Sequence, residues 1–465
     1  MNPWSTTLLA HLVMAAYPLI GIVIGATVTS RHRAVLLTLL LGFLFLPSTG
    51  YEFGPLHWTR WTAPILTCFF STLLFDAGRF RNLRPQLSDL PMLMWCLSPG
   101  ISSLSNGLGA YDATKAVVYQ TIIWGGIYLL GRLYFTNRDS LLDLARYIVY
   151  GCLVYMPLCL FEFRFSPQLH LNFYGFHQHE FQQSIRSVGY RPMVFLQHGL
   201  MASMWMGMGA FLCGVLTQAK QMPSILGVPP MLWTLALTGT FLIMQSYGAI
   251  ALFVGAWFIL WLTMGMGSRF ALIALVLLPT MWAGLRTTGV VPTQPLVQAA
   301  SAVSPERAVS LASRLGAEDD LIRHVQRRMA FGWSAWGRDR YIDDRAVVID
   351  GLWVLTLSRN GLFGLMSLLL VWMVPCVSVL RRFRAEDWRQ DPAVLVLGAF
   401  TIIVAISMVD NLLNAMLILP FLLLLGALPT ALEEGAEEQS PAADPMPLRQ
   451  PPRGDEVTRP RILGS

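Results

Sequence analysis

The sequence predicts an all-α fold: a polytopic transmembrane helix bundle of about 12–14 spans with one large, partly helical, outward-facing loop. Three observations predict it. Of 465 residues, 54% are hydrophobic and only 13% are charged, about half the roughly 25% charge of a soluble domain. The mean hydropathy is +0.53. Apolar runs long enough to enter ~30 Å of hydrocarbon recur along almost the whole chain. This composition excludes a soluble enzyme, a nucleic-acid binder and a disordered scaffold. The net charge of +6 follows from where arginines sit relative to a bilayer.

The runs lie near 7–29, 34–47, 62–78, 90–105, 113–131, 146–163, 195–217, 227–245, 248–264, 270–285, 352–376, 393–409 and 415–431. The first is too long for a cleaved leader and lacks basic residues ahead of it, so it is expected to remain as a span. Orientation follows from arginine placement. One set of connections carries Arg31, Arg33, Arg79, Arg81, Arg84, Arg132, Arg138, Arg146, Lys220, Arg269, Arg381, Arg382, Arg384 and Arg389, which is 14 cations. The alternate short connections hold Arg60, Lys115, Arg164, Arg186 and Arg191, which is five. The cation-rich set is expected in the cytoplasm, with the N-terminus outside and the C-terminus inside. A transmembrane domain over 1–431 is then followed by a polar tail, 432–465, rich in glutamate and proline and expected to be disordered.

Only two of the 33 Lys+Arg residues are lysines, Lys115 and Lys220. Arginine keeps its proton and grips phosphate or carboxylate with two parallel hydrogen bonds, although a GC-rich genome produces the same bias. The six cysteines all fall in apolar runs, with no disulfide or metal spacing, and read as small core residues.

Two outward segments, 164–194 and 286–351, are too long to be mere connectors. In the second, Ser304-Pro305 signals a helix start, and Leu321, Ile322, Val325 and Met329 recur at helical spacing. No internal repeat is evident, which weakens an inverted-repeat transporter reading. The first segment and its flanks carry Glu162, His170, His177, His179, Arg186, Arg191 and His198. His177-x-His179 alone is a weak zinc signal, and no metal is expected. Arg191-Pro192 immediately precedes an apolar run, so its guanidinium is tethered at the membrane edge beside His198, where an unused charge is costly. Snorkelling toward headgroups is the ordinary alternative. In the second segment, Arg314 and Arg328 belong to a mixed charge face, whereas Arg359 falls inside an apolar run, about 13 Å below Asp350 at ~1.5 Å per residue.

Phe331-Gly332-Trp333-x-x-Trp336-Gly337-Arg338, Asp350-Gly351-x-Trp353 and Gly361-Leu362-Phe363-Gly364 resemble the large-loop signature of the O-antigen ligase/O-antigen polymerase (Wzy-C) superfamily. Pro99-x-x-Ser102-Ser103-x-x-Asn106 fits the same pattern, as do Arg191 and Gly207 with fifteen residues between them and Arg340 and Gly351 with ten between them. The resemblance spans roughly 90–430. It implies a GT-C-like, metal-independent glycosyltransferase of the bacterial inner membrane that needs no cofactor. Its donor would be an undecaprenyl-pyrophosphate-linked glycan, and its acceptor a glycan, lipid or protein. The residues suit that chemistry, since arginines at the membrane surface stabilise a departing diphosphate. Arg191 is the first choice, with Arg186, Arg314, Arg328, Arg359 and His198 as further pyrophosphate contacts. Ligases of this family place a histidine where the large loop returns to the membrane. Asp350 stands there in this chain, which makes it the expected general base. His324 is the fallback, and Asp350 would also suit a helix cap. Two readings from other classes remain: a transporter or flippase of lipid-linked saccharides, and a non-catalytic subunit of a polysaccharide export complex.

Overall fold

The computed structural model describes residues 6–302, 305–342, 345–348 and 350–432. The expected tail therefore lies, beyond Leu432, outside the described residues, as does the predicted cap Ser304.

The protein is mostly helical. Among the described residues, eight helices are long and apolar enough to cross a membrane, so the chain is a multi-pass membrane protein by length and composition. In chain order, the helices at the predicted runs are α1 (Leu8–Thr27), α2 (Arg31–Phe45), α3 (Thr62–Phe75), α4 (Leu90–Ser105), α5 (Ala110–Tyr134, with a π-helical turn at Thr121–Gly126) and α6 (Arg138–Phe165). Then come α7 (Gly199–Gln218), α8 (Pro230–Ile243), α9 (Tyr247–Met266) and α10 (Phe270–Thr287). The large connection contributes α11 (Pro305–Val325), and the chain closes with α12 (Leu352–Arg382), α13 (Pro392–Leu413) and α14 (Leu419–Ala427). The eight are α1, α5, α6, α7, α9, α10, α12 and α13. The other five predicted runs are helices too, but α2, α3, α4, α8 and α14 have 9–16 residues, and a helix that short falls below ~30 Å at 1.5 Å per residue.

α7 and α13 form the centre, with 94% and 89% of their apolar windows buried. α14 is buried along its whole length against α5. Gly131 and Gly426 permit that approach: a Cβ on Gly131 would lie 2.2 Å from the Leu423 carbonyl oxygen, and one on Gly426 would lie 1.9 Å from that of Tyr128.

The connections sort into two ends. At one end, Arg33 meets Asp143, Arg138 meets Asp391, Arg146 meets Gln221, and Arg269 meets the Leu380 and Phe383 carbonyls. The Leu432 amide reaches Thr136 there. These are the connections that carry the cation-rich set. The other, here the loop end, gathers both long connections and the N-terminal Thr7, which bonds Tyr174 and Phe173. It also holds an antiparallel hairpin, β1 (Gly50–Phe53) with β2 (Leu56–Thr59).

Inside the large connection, α11 begins at Pro305 and buries Leu321, Ile322 and Val325, as the spacing predicts. Two breaks shape the loop end. α12 turns sharply at Gly361, where φ is 65°, leaving Leu362–Arg382 to cover ~31 Å alone. The Asn414–Ile418 link between α13 and α14 has no regular structure, and Ala415 and Leu417 border a cavity there. Irregular backbone of that kind is tolerated in a membrane protein where it lines protein or a wet chamber.

Candidate functional site

Arg186 and Arg191 sit on a narrow turn in which Ile185 bridges Tyr190 and the Arg191 amide donates to the Ser184 carbonyl at 2.7 Å. The buried Glu162 carboxylate fixes the turn by accepting the amides of Leu169, Met193 and Val194 at 3.0, 2.9 and 2.7 Å. The Arg191 stem packs on the first turn of α7, where a Cβ on Gly199 would lie 2.4 Å from its Cδ. Arg191 donates to the Gln245 carbonyl at 3.2 Å and Arg186 to that of Ile185 at 2.7 Å. The Nε of each is buried without a partner, and neither has an ion pair among the described residues. Burial, and then the neighbouring Arg186 charge, pulls the Arg191 guanidinium down to about 10. Burial likewise lowers Arg186.

His198 caps α7 by accepting the Leu200 amide on Nδ1 at 2.9 Å, which leaves its proton on Nε2. Its ring lies 4.2 Å from that of His179. Burial first, then His179, Arg191, Arg186 and Arg314, depresses His198 to about 3. Glu180 lies beside His179 and Asp350 holds Arg314, but Arg186 and Arg191 have no ion pair among the described residues, so an anion suits them as a partner.

Arg314 and Asp350 form an ion pair at 3.1 Å beside the crevice that Glu318 and Leu412 line. Asp350 does not cap the helix: Gly351 holds the N-cap position of α12 and no side chain caps it. Asp350 and Arg191 do not meet directly. Arg314 connects their surroundings, since it touches Asp350 and its charge reaches His198. His324 is engaged elsewhere, bonded to the Arg338 carbonyl and stacked on Trp333. His170 is structural, with Nδ1 donating to the Phe176 carbonyl and Nε2 accepting the Ser48 amide.

Arg359, expected from sequence inside an apolar run, lies within the candidate span Leu352–Arg382 but has an acidic partner. It precedes the Gly361 break, and its guanidinium pairs with the buried Asp339 at 2.7 and 3.0 Å. Arg328 donates to the Ser105 carbonyl and covers the Trp333 ring at 5.0 Å. Neither lies with the Arg186–Arg191 pair.

The motif segments meet one another. The 329–334 loop crosses the α12 break, and the amides of Trp333, Ser334, Leu362 and Phe363 donate to Ser358, Arg359, Met329 and Ala330 at 2.8–3.1 Å. These bonds satisfy backbone groups that the break frees. Gly332 and Gly361, both at positive φ, lie face to face, and a Cβ on either would sit 2.5–2.6 Å from the other segment's backbone. From α4, Ser102 bonds the Arg359 carbonyl and Asn106 that of Gly332, at 2.7 and 2.9 Å.

Next to this crossing opens a cavity of about 570 Å³. Its walls carry Trp61, Trp95, Tyr119, Trp124 and Trp336, with Glu52, His57, Asp112, Lys115 and Arg359 among the polar groups. Glu52 pairs with Lys115 at 3.1 Å and lies 3.6 Å from His57. Asp112 accepts from Ser103 at 2.6 Å and from the Trp336 indole at 2.7 Å. Sequence reasoning missed the Glu52–His57–Lys115 group and Asp112. The one signal was Lys115, a lysine in an arginine-dominated chain. Gln197, next to His198, also lines the cavity. Among the described residues, no three His, Cys, Asp or Glu side chains converge as a metal site. Compared with known proteins, the chain matches no family model and no curated protein.

Proposed function

We propose that the protein transfers a glycan from an undecaprenyl-pyrophosphate carrier to an acceptor at the loop end of the bundle, without a metal or cofactor. One observation carries the reading: Arg186 and Arg191 are half-buried, adjacent and without a carboxylate partner among the described residues. Desolvated like charges of this kind are poised for a polyanion held by forked, charge-assisted hydrogen bonds. The α7 N-terminus beneath Arg191 adds its dipole, and the His198 Nε2–H supplies a further donor.

In this reading the loop end faces the periplasm of a bacterial inner membrane, with the N-terminus on that side and the C-terminus in the cytoplasm. The fold would be GT-C-like, and the two long connections would close over the site. The saccharide rests in the aromatic cavity, where flat ring faces and carboxylates suit a polyhydroxylated ligand. An acceptor hydroxyl attacks the anomeric carbon, a carbon–oxygen bond to the acceptor forms and the bond to the diphosphate oxygen breaks. The hydroxyl proton passes to a carboxylate, with Asp350 held by Arg314 as the assignment, and the diphosphate leaves on the arginines. The acceptor is another carrier-linked glycan, as in polymerases, or a lipid or protein, as in ligases.

The test is reconstitution of the purified protein with donor and acceptor in one leaflet. Lengthening or movement of the glycan, abolished by Arg191→Ala at unchanged protein abundance, is expected. A transporter would move the intact donor across the bilayer and form no bond. If Arg191→Ala and Asp350→Asn both keep wild-type glycan profiles, the site is wrong.

A further inference from the structure

At the end opposite the long loops, a second cavity of about 510 Å³ opens among α2, α6 and the turn after α7. Arg33, Asp143, Arg146, Tyr147, Tyr150 and Lys220 line it. We propose that it binds a net-anionic phosphate group, in the form of a phospholipid headgroup or a soluble phosphate.

Asp143 is the organiser. Its carboxylate is 5% exposed and accepts Arg33 at 2.6 Å, Arg146 at 3.3 Å and His32 at 2.9 Å. Asp143, even with Asp139 also acting on Arg33, cannot neutralise two guanidiniums and the nearby lysine, so the cavity keeps a net positive charge. Arg33 uses only Nε, and both of its terminal nitrogens have no partner among the described residues. The Lys220 ammonium has none either. Arg146 is held by Gln221 through the backbone and side-chain oxygens, which fixes its place on the wall.

The backbone supplies a second, independent observation. α7 ends in a double closing turn: the Gln221 amide donates to Leu216 at 2.8 Å and the Lys220 amide to Thr217 at 3.1 Å. The residue at Lys220 must then be left-handed, and its φ is 55°. Glycine is the usual occupant because it has no Cβ to strain. Here the position carries one of only two lysines in the chain. Lys220 is one of eight non-glycine residues at positive φ among the described residues, and such strain at a cavity wall supports a role for its side chain. Tyr147 and Tyr150 add rings of the kind that sit at the headgroup level of a bilayer, and basic pockets between helices are where acidic headgroups dock. The site stands apart from the proposed transfer chemistry, at the other end of the molecule.

The test uses the full chain in neutral phosphatidylcholine nanodiscs. Short-chain phosphatidylglycerol, phosphatidylcholine of the same chain length and inorganic phosphate are titrated, with bound ligand counted by native mass spectrometry. Saturable binding of phosphatidylglycerol over phosphatidylcholine is expected, weakened about fivefold for each cation removed in Lys220→Gly and Arg33→Gln. Lys220→Gly relieves the turn, so its thermal midpoint should not fall below wild type, and lost binding in that variant is not lost folding. Competition by inorganic phosphate assigns the site to the phosphate group alone, and no competition assigns it to the lipid headgroup. Equal binding of the two lipids together with no saturable binding of inorganic phosphate, or unchanged affinity in both variants, overturns the proposal.

Discussion

Replacing Arg191 by glutamine removes the cation on which the transfer reading leans most. The side chain contributes little to the fold: its one hydrogen bond is 3.2 Å long, its Nε has no partner and Arg186 repels it. Loss of a single long contact costs about 0.5–1 kcal/mol, and relief of the like charge offsets part of that. The thermal midpoint should therefore stay within a few degrees of wild type. Function behaves oppositely, because a guanidinium fork on a diphosphate is worth about 1.5–3 kcal/mol per charged hydrogen bond. Transfer should fall by roughly 10- to 150-fold for each bond lost. Arg191→Lys keeps the charge but not the fork, and should recover part of the rate. The assay is initial rate against donor concentration in nanodiscs, with a melting curve on the same sample. Unchanged transfer by Arg191→Gln would refute the argument, and so would a loss of activity that tracks a loss of folded protein.

Three further outcomes follow from the same geometry. Asp339→Ala strands Arg359; because that guanidinium is 36% exposed, the cost should be about 2 kcal/mol rather than the 3–5 typical of a fully buried pair, read as a lower melting midpoint that Asp339→Ala/Arg359→Leu partly restores. Trp336 is 72% exposed and donates to Asp112, so Trp336→Ala should leave the midpoint nearly unchanged while weakening saccharide-dependent turnover about tenfold. Burial depresses His170 to about 4 from 6.5. Below pH 6.5 the unfolded chain takes up a proton that the folded chain refuses, so stability is full above pH 6.5 and falls toward pH 4, by about 2 kcal/mol at pH 5 as an upper figure. His170→Gln should flatten that dependence in melting curves recorded from pH 7 to 5.

The helices were legible because apolar length is a local property. Each of the thirteen runs meets a helix, and α11 starts at the proline that signals it. The breaks were less so. Ser358-Arg359-Asn360-Gly361 interrupts the apolar pattern, but nothing local shows that Gly332, 29 residues earlier, crosses Gly361 at backbone contact where its φ is positive. Arg359 looked solitary for the same reason, since its partner Asp339 reaches it only through that crossing. The cationic patch was half legible: Arg191-Pro192 marks the membrane edge, but nothing local shows that Arg186 and Arg191 lack acids while Arg314 has one. The aromatic cavity was hidden, because its charged members come from a hairpin, α5 and α12, with Trp336 added by the large loop, each unremarkable alone.

The cationic patch and the cavity share a partition. His198 has extended backbone, with φ −151° and ψ 147°, and successive side chains of extended chain point to opposite sides. Gln197 lines the cavity while His198 joins the arginines, so the wall between the two compartments is about one residue thick at the start of α7. A ligand whose diphosphate sits on the arginines can place its first sugar over that wall. The compartments then separate kinetically. Arg191 variants should raise the donor KM. If Trp336 variants raise it as well, the cavity holds the donor saccharide, and if they raise only the acceptor KM, it holds the acceptor. A Trp336 variant that changes neither would mean that the aromatic cavity of the loop end has no part in the reaction.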